Sequence, residues 1–198
     1  MSRVAPSSSP ALQRIRAATS SAHRALEAAL AIARPDASDH TYARYLDAWL
    51  GFLEPLEEPL WTRPWPAGIE PSARTGKTEW VKADLAARGW SERELLAIPR
   101  QRAIPPLESQ PQRFGVAYVI EGSSLGGPVL LRRLQSRLEP RTARFLEGYG
   151  RESTAKWRAF VTALGASLRD ARDADAAAES ARATFAGIHE WFALRGVA

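Results

Sequence analysis

Apolar residues recur every three or four positions along most of this chain, the spacing that places them on one face of an α-helix. The first such stretch follows Ser9 and Pro10, a typical pair of N-cap and first-turn residues, and is predicted to run to about Ala33. Its apolar face consists of Leu12, Ile15, Thr19, Ala22, Leu26 and Leu30. Pro35 then ends the pattern.

The remaining pattern is also helical. Ser38 or Asp39 is expected to cap a second helix with a wide aromatic face, which is typical of a buried core: Tyr42, Tyr45, Leu46, Trp49, Phe52 and Leu53. Further helices are predicted over 79–87, 112–137, 154–172 and 176–194. The capping-box spacing at 91–94 predicts the start of another short helix. The proline-rich connections 59–78 and 98–111 are expected to be irregular, and 116–120 is the one strand-like run. We therefore predict an all-α, single-domain helical bundle over 10–198, preceded by a flexible tail at 1–9.

Composition limits the chemistry. The 198 residues include no cysteine, which excludes disulfides, thiolate metal sites and cysteine nucleophiles. The three histidines are His23, His40 and His189; His40 is expected at the surface and His189 as core or surface filler. With so few, a metal site made of side chains alone would depend on carboxylates. No run of 18 apolar residues and no apolar signal core occur, so we expect no membrane span and a cytoplasmic location.

The net charge of +5 is concentrated in residues 132–158, where eight basic residues accompany three acidic ones. Such a segment suits a nucleic acid, an acidic protein or an anionic small molecule, and equally a solvated helix face. A nucleic-acid interface is the weaker interpretation. The basic residues form no obvious recognition helix, and Gly-Gly-Pro at 126–128 would disrupt one.

Residues 114–128, Phe-Gly-Val-Ala-Tyr-Val-Ile-Glu-Gly-Ser-Ser-Leu-Gly-Gly-Pro, are unusually rich in glycine. They lack the spacing of phosphate-binding loops, and Pro128 removes a backbone donor. The alternative is a kinked helix with Gly122 and Gly126 one turn apart on one face. Each internal glycine costs about 1 kcal/mol relative to alanine. A helix that tolerates both either packs closely on another helix or admits a flat ligand against its backbone.

His23 borders the apolar face of the first helix, four residues after Thr19 and three before Leu26. It is either a half-buried structural histidine or a metal-ligating imidazole whose second ring N–H is held by Glu27. Arg16, two turns earlier on the same side, is placed to meet an anionic group of a ligand. One histidine is too few for a protein-only metal site but sufficient for a heme.

These two segments together resemble the heme oxygenase family, especially its bacterial branch associated with bacteriophytochromes. Residues 15–27, Ile-Arg-Ala-Ala-Thr-Ser-Ser-Ala-His-Arg-Ala-Leu-Glu, resemble the family's proximal helix, and His23 takes the place of the axial ligand of heme iron. Residues 118–127, Tyr-Val-Ile-Glu-Gly-Ser-Ser-Leu-Gly-Gly, resemble the distal helix, whose glycines let its backbone lie over the heme. The resemblance implies heme b held between the first helix and a kinked, glycine-rich helix.

The resemblance also implies roles for further residues. The catalytic side would consist of Gly122, Ser123, Ser124 and Gly126, which hold bound oxygen and proton-delivering water. The heme-binding residues would be Arg16, Thr19, Glu27, Tyr118, Gly127, Arg133, Arg158 and Phe185. Within that set, Arg133 and Arg158 are candidates for the heme propionates, and Phe185 closes the pocket. Ser123 stands where well-studied animal members carry an acid, and Thr162 where they carry a basic residue.

The activity that the resemblance implies is oxidative cleavage of heme to biliverdin, carbon monoxide and free iron. It consumes O2 and electrons from an external reductant of the ferredoxin or flavodoxin type, and a bacteriophytochrome is a candidate recipient of the biliverdin. Two other classes stay open. A non-catalytic heme carrier or sensor of the same fold is favoured by Ser123, and a helical nucleic-acid binder by the sequence pI of about 10.1.

Overall fold

The computed structural model describes residues 9–138 and 142–198, and these are folded into α-helices without a strand. The predicted tail lies outside the described residues except for Ser9. The all-α prediction is confirmed, and the buried side chains form one continuous core. The helices are α1 (Pro10–Ala29), α2 (Asp39–Trp61), α3 (Lys77–Ala86), α4 (Glu92–Ala97), α5 (Gln110–Leu138), α6 (Arg144–Glu147), α7 (Ser153–Ser167) and α8 (Ala171–Leu194).

Helix α1 begins as its sequence predicts and ends earlier. The side chain of Ser9 accepts a hydrogen bond from the amide of Leu12 at 3.3 Å, and Pro10 occupies the first turn. Leu30 then leaves helical geometry, with φ −62° and ψ 119°, and a 3₁₀ turn covers Ala31–Ala33. The end at about Ala33 was therefore wrong by one turn, because the apolar spacing continues through the 3₁₀ turn.

Helix α2 carries a capping box at its start and runs further than its prolines suggest. Ser38 is the cap, since its hydroxyl accepts the amide of Thr41 at 3.2 Å and its amide donates back to Thr41. The helix continues through Pro59 to Trp61, where the sequence predicted a loop. Leu60 and Trp61 are buried, and this burial offsets the hydrogen bond that Pro59 lacks.

Helix α5 includes the strand-like run 116–120 and continues past Pro128. Apolar side chains at 114, 116, 117, 119 and 120 are all buried, so the helix is covered on more than one side. A helix buried all round loses its 3.6-residue pattern and looks like a buried strand. By length and composition alone, Gln110–Leu134 could cross a membrane; half of its most apolar window is buried by the other helices, as in the core helix of a globular protein.

The last two helices meet at a polar cap. Asp170 accepts a hydrogen bond from the amide of Asp173 at 2.8 Å, so α8 begins five residues before the predicted start at 176. Its C-terminal half packs against the aromatic face of α2. The ring of Phe192 lies 5.2 Å from Trp49 and 5.9 Å from Tyr45, and the indole of Trp191 donates to the Ala48 carbonyl at 2.8 Å.

Helix α8 is the element on which α1 and α5 both pack, whereas α1 and α5 have only marginal contact with each other. The α5–α8 crossing depends on Gly115. A Cβ atom at this position would stand 2.8 Å from the Cβ of Ser180 and 2.9 Å from the amide of Ala181. The two backbones therefore approach closely because residue 115 has no side chain.

Gly115→Ala is expected to lower the free energy of unfolding by about 1–3 kcal/mol, because the added methyl overpacks the α5–α8 crossing. For a chain of this size, that corresponds to a fall in melting temperature of about 2–4 °C per kcal/mol. The matched control is Gly187→Ala in α8, whose new Cβ would meet only the Phe52 ring at 3.9 Å. The control should be neutral or gain up to about 1 kcal/mol of stability. Equal melting temperatures for the two variants would contradict the close crossing.

Candidate active site

Helices α1 and α5 carry the residues of the candidate site. Each packs along α8, and contact between α1 and α5 is marginal. Two predicted motifs lie on these helices: His23 on α1, and the glycine segment on α5.

His23 is exposed at the surface of α1. Its side chain is 53% accessible, and its Nδ1 lies 3.3 Å from Oε2 of Glu27. The ring stands edge-on to Phe185 of α8, with centroids 5.5 Å apart and planes at 84°. A neutral imidazole that donates Nδ1–H to Glu27 keeps its lone pair on Nε2. Nε2 has no hydrogen-bond partner within residues 9–138 and 142–198, so its lone pair is available for a metal.

The two other predicted residues of α1 differ in position. Arg16 is exposed and is not paired with any described residue. Thr19 is buried, and its hydroxyl donates to the carbonyl of Ile15 at 2.8 Å. This local bond is a common choice for threonine inside a helix, because it satisfies the hydroxyl within α1. Thr19 therefore belongs to the packed side of α1, and its predicted place among ligand-binding residues has no support in the geometry.

The three glycines of the predicted motif in α5 have different surroundings. A Cβ on Gly126 would meet no atom within 4 Å, and a Cβ on Gly122 would meet only the ring of Trp157 at 3.9 Å. A Cβ on Gly127 would stand 3.2 Å from the Cα of Leu146 and closer to its carbonyl group. Gly122 and Gly126 thus present bare backbone on an open face, whereas Gly127 is required for packing against α6 and lies off that face.

The side chains beside the open glycines are apolar or aromatic. Leu125 and Val129 are 38% and 40% exposed and lie one helical turn apart. Tyr118 packs against Trp157 of α7, with ring centroids 5.6 Å apart. An exposed apolar strip of this kind, interrupted by bare backbone, suits a large flat apolar ligand. Sequence reasoning missed Trp157, Leu125 and Val129, because each one looks like ordinary core in the pattern.

The two serines lie toward a different side of α5. Ser123 donates its hydroxyl to the carbonyl of Ile120 at 2.8 Å, and Ser124 is buried. Both border a cavity of about 10 Å³ between α5, α2, α3 and α6, which is the size of one water molecule. Trp49 borders the same cavity, and its indole nitrogen lacks a partner within the described part of the chain. Pro128 also leaves the carbonyl of Ser124 without its helical donor.

The basic segment divides into structural and available residues. Arg137 donates to the carbonyl of Ala37, Arg144 lies 4.1 Å from the Trp80 ring, and Lys156 donates to the carbonyl of Ala73. A second set is exposed and has no ion pair or hydrogen bond with described residues; it consists of Arg132, Arg133, Arg151 and Arg158. Arg141 lies outside the described residues. The segment is thus neither wholly structural nor wholly a solvated face.

A larger cleft of about 440 Å³ lies between the end of α2 and the start of α3. It shares no residue with the predicted site. Its lining includes four glutamates and a single lysine: Glu54, Glu57, Glu58, Glu79 and Lys82. An anionic ligand would be repelled there, which leaves the α1–α5 region as the better match to the basic and apolar features above. Within the described residues, no group of three His, Asp or Glu side chains could hold a metal ion.

Three features of these residues suit a heme. Exposed His23, with its Nδ1 held by Glu27, offers one imidazole nitrogen to iron. On α5, the empty space at the Cβ position of Gly126 would accept a porphyrin face. Exposed arginines are present for anionic groups. The residues therefore fit a heme.

Comparison with known proteins agrees with this fit. The family model "Heme oxygenase" matches residues 9–194. A protein named heme oxygenase from Xanthomonas campestris pv. campestris (strain 8004) is 34% identical over 125 residues, which cover 57% of this chain and 74% of that protein.

Two solved structures share the fold at 21% sequence identity. The NO- and CO-bound heme oxygenase from Neisseria meningitidis superposes with a TM-score of 0.72 over 97% of this chain and 94% of that one. The heme oxygenase from Leptospira interrogans gives a TM-score of 0.71 over 92% and 98% of the two chains. Since the family model extends over nearly the whole sequence and the bacterial relatives agree with it, this chain belongs to the heme oxygenase family, whose members are enzymes.

Proposed function

We propose that this chain cleaves heme b to biliverdin, carbon monoxide and iron between α1 and α5, using O2 and electrons from an external reductant. The observation that carries the proposal is the combination of an exposed, Glu27-oriented His23 on α1 with bare backbone at Gly122 and Gly126 on α5. Bound heme supplies both the iron at which O2 is activated and the porphyrin edge that is oxidised.

On the α1 side, His23 would hold the heme iron through Nε2, and Glu27 would keep the imidazole in one orientation. The Nδ1–Oε2 distance of 3.3 Å is longer than a strong charge-assisted bond, and both side chains are more than half exposed. Glu27 therefore orients the ring through a weak hydrogen bond. Phe185 limits rotation of the ring from α8.

On the α5 side, the glycines allow the helix backbone to come within contact distance of a bound ligand. A side chain at either position would fill that space and push the ligand away. The backbone at Gly122 and Gly126 would therefore restrict the space over one face of a bound heme and so limit which porphyrin edge is accessible. Leu125, Val129 and Tyr118 cover the remaining apolar surface.

Proton delivery is the role we assign to the cavity beside Ser123 and Ser124. A water there would have the Trp49 indole as a donor and the Ser124 carbonyl and hydroxyl as partners, which satisfies the two to four bonds that a buried water needs. Ser123 lies at the border between this cavity and the glycine face. In this way a serine and a backbone carbonyl replace the acid that animal members carry.

The exposed arginines have two roles in the proposal. Arg16, Arg133 and Arg158 pair with the two heme propionates, and the rest of the basic surface, including Arg132 and Arg151, docks an acidic ferredoxin or flavodoxin. The reaction takes place in the cytoplasm, and a bacteriophytochrome is a suitable acceptor of the biliverdin. A heme carrier of the same fold is the alternative outcome of the first experiment below.

His23→Ala is expected to keep the melting temperature of the heme-free protein, because the side chain is exposed, and to lose the six-coordinate ferric heme spectrum and turnover. Turnover is measured by adding heme, a reductant and oxygen and following the Soret band as a biliverdin band grows. His189→Ala is the control, since His189 is also exposed. A wild-type protein that binds heme through His23 without bleaching would be a carrier, and an unchanged spectrum in His23→Ala would contradict the ligand assignment.

Gly126→Leu and Gly127→Leu are expected to separate the two kinds of glycine. At 126 the new side chain enters open space, so the heme-free protein should keep its stability or gain up to about 1 kcal/mol, while heme binding is lost. At 127 it meets the backbone of Leu146 and should cost about 1–3 kcal/mol or more. Thermal unfolding and heme titration measure the two effects. A destabilised Gly126→Leu variant that still binds heme would show that both glycines serve packing.

Removal of both Arg133 and Arg158 is expected to change the orientation of heme more than its affinity. Partly exposed charge pairs contribute about 0.2–1 kcal/mol each, so the dissociation constant should rise only several-fold. The ratio of biliverdin isomers should shift, because the propionates no longer hold one in-plane rotation. Chromatography of the product measures this ratio, and Arg172→Ala on the exposed start of α8 is the control. The same isomer ratio in the double variant and the wild type would contradict the propionate role.

A further inference from the structure

A buried cluster of charges, the Glu121 cluster, lies directly next to the first open glycine of α5. It consists of Glu121, Arg74, Lys77 and Tyr149. Glu121 is 2% exposed; its Oε1 accepts from Lys77 Nζ at 2.8 Å and from the Tyr149 hydroxyl at 2.8 Å, and its Oε2 pairs with Arg74. Lys77 also donates to the carbonyl of Arg74 at 3.0 Å. Every oxygen of this carboxylate is therefore in use.

The cluster joins α5 to the start of α3 and to the segment that precedes α7. Arg74 and Lys77 flank the start of α3, and Tyr149 precedes α7. Arg74 also donates to the carbonyl of Lys156 in α7 at 3.0 Å, and the next residue, Trp157, is the one whose ring lies against Gly122. Through these contacts, Glu121 connects α5 to both α3 and α7 at the position next to Gly122.

Stability alone does not account for such a cluster. Removing charges from water is costly, and well-packed apolar residues in place of a buried ion pair are often neutral or stabilising. Apolar contacts have no preferred direction, whereas charge-assisted hydrogen bonds have defined lengths and angles. What the cluster adds is therefore a defined position and rotation of α5.

The Tyr149 hydroxyl keeps its proton and therefore remains a hydrogen-bond donor to Glu121. Burial, and then the adjacent Glu121 carboxylate, raises the pKa of Tyr149 well above its ordinary value. Its hydroxyl stays neutral, accepts from Lys77 at 2.5 Å and donates to Glu121. Lys77 and Arg74 together exceed the single carboxylate by one positive charge, so removing Glu121 alone would leave two buried cations unpaired.

We propose that Glu121 is a positioning residue for heme cleavage, which fixes the backbone of Gly122 and the ring of Trp157 at one distance from the bound heme through Arg74, Lys77 and Tyr149. The proposal rests on the proposed function above. A displacement of about 1 Å at a reacting centre can reduce turnover by about a hundredfold. A shift of Glu121 would displace the backbone of Gly122, because the two residues are adjacent in the chain, and turnover would then fall.

The test replaces the charges with apolar side chains of similar length, in the triple variant Arg74→Met, Lys77→Met, Glu121→Leu. The melting temperature of the heme-free protein should be unchanged or higher. Amide hydrogen exchange over residues 118–126 of the heme-free protein should become faster. With heme bound, the C–O stretching band of the ferrous carbon monoxide complex should broaden or split, the biliverdin should become a mixture of isomers, and turnover should fall by up to about a hundredfold.

The matched control is Asp47→Asn, which weakens another partly buried ion pair. Asp47 of α2 pairs with Arg195 after α8 at 2.6 Å, and neither side chain forms a hydrogen bond or ion pair with a described side chain of α5. This variant should lower the melting temperature and leave the C–O band, the isomer ratio and the exchange over 118–126 as in the wild type. A general loss of stability is thereby distinguished from a loss of positioning.

An apolar variant with wild-type exchange, C–O band and isomer ratio would overturn the proposal, since packing alone would then hold Gly122. If the triple variant does not fold, Tyr149→Phe replaces it, because this change removes one hydrogen bond to Glu121 and keeps all the charges. A shifted C–O band in a folded Tyr149→Phe supports positioning, and an unshifted band overturns it. Failure of the proposed function has a different signature, namely a wild-type protein that does not convert heme. The exchange measurement needs no heme and still tests the position of Gly122.

Discussion

The close approach of α5 to α8 is the contact on which the rest of the site depends. At Gly115 a side chain would collide with Ser180 and Ala181, so the two backbones meet where only a hydrogen atom separates them. Helix α1 packs along α8 as well and has little direct contact with α5. The positions of the helices that carry His23 and the open glycines are therefore both set by packing on a third helix, α8.

Glycine has two opposite roles along α5. Gly115 and Gly127 bring neighbouring backbones close and are stability residues, since each missing Cβ is replaced by atoms of α8 or α6. Gly122 and Gly126 have open or nearly open space at the same position, so the energy they cost the helix is not recovered by packing within the chain. Helix residues that reduce stability without a packing return are expected at binding sites, where a ligand takes the place of the side chain.

The basic residues fall into an exposed set and a buried set. Exposed arginines at 16, 133 and 158 have no partner among the described residues and can meet an anionic ligand at small energetic cost. The charges of the Glu121 cluster are buried and hydrogen-bonded to one another, and they link α5 to α3 and α7. Two sets of basic residues that look alike in the sequence therefore differ in the structure: one is exposed and available to a ligand, and the other is buried and holds helices together.

The sequence by itself determined the helical class, the N-caps at Ser9 and Ser91, and the two motifs around His23 and Gly122, because helix periodicity, caps and short motifs are local properties of the chain. It left Ser38 and Asp39 as alternative caps of α2, and the structure selects Ser38. Only the tertiary structure decided that α2 continues through Pro59 to Trp61, that Thr19 and Gly127 face neighbouring helices, and that Glu121 meets Arg74, Lys77 and Tyr149. These depend on contacts between residues far apart in the chain, such as 74 with 121 and 121 with 149. Apolar residues of a helix follow the same three- or four-residue spacing whether their face is buried or, as at Leu125 and Val129, exposed. Only the packing of the other helices decides which face is covered.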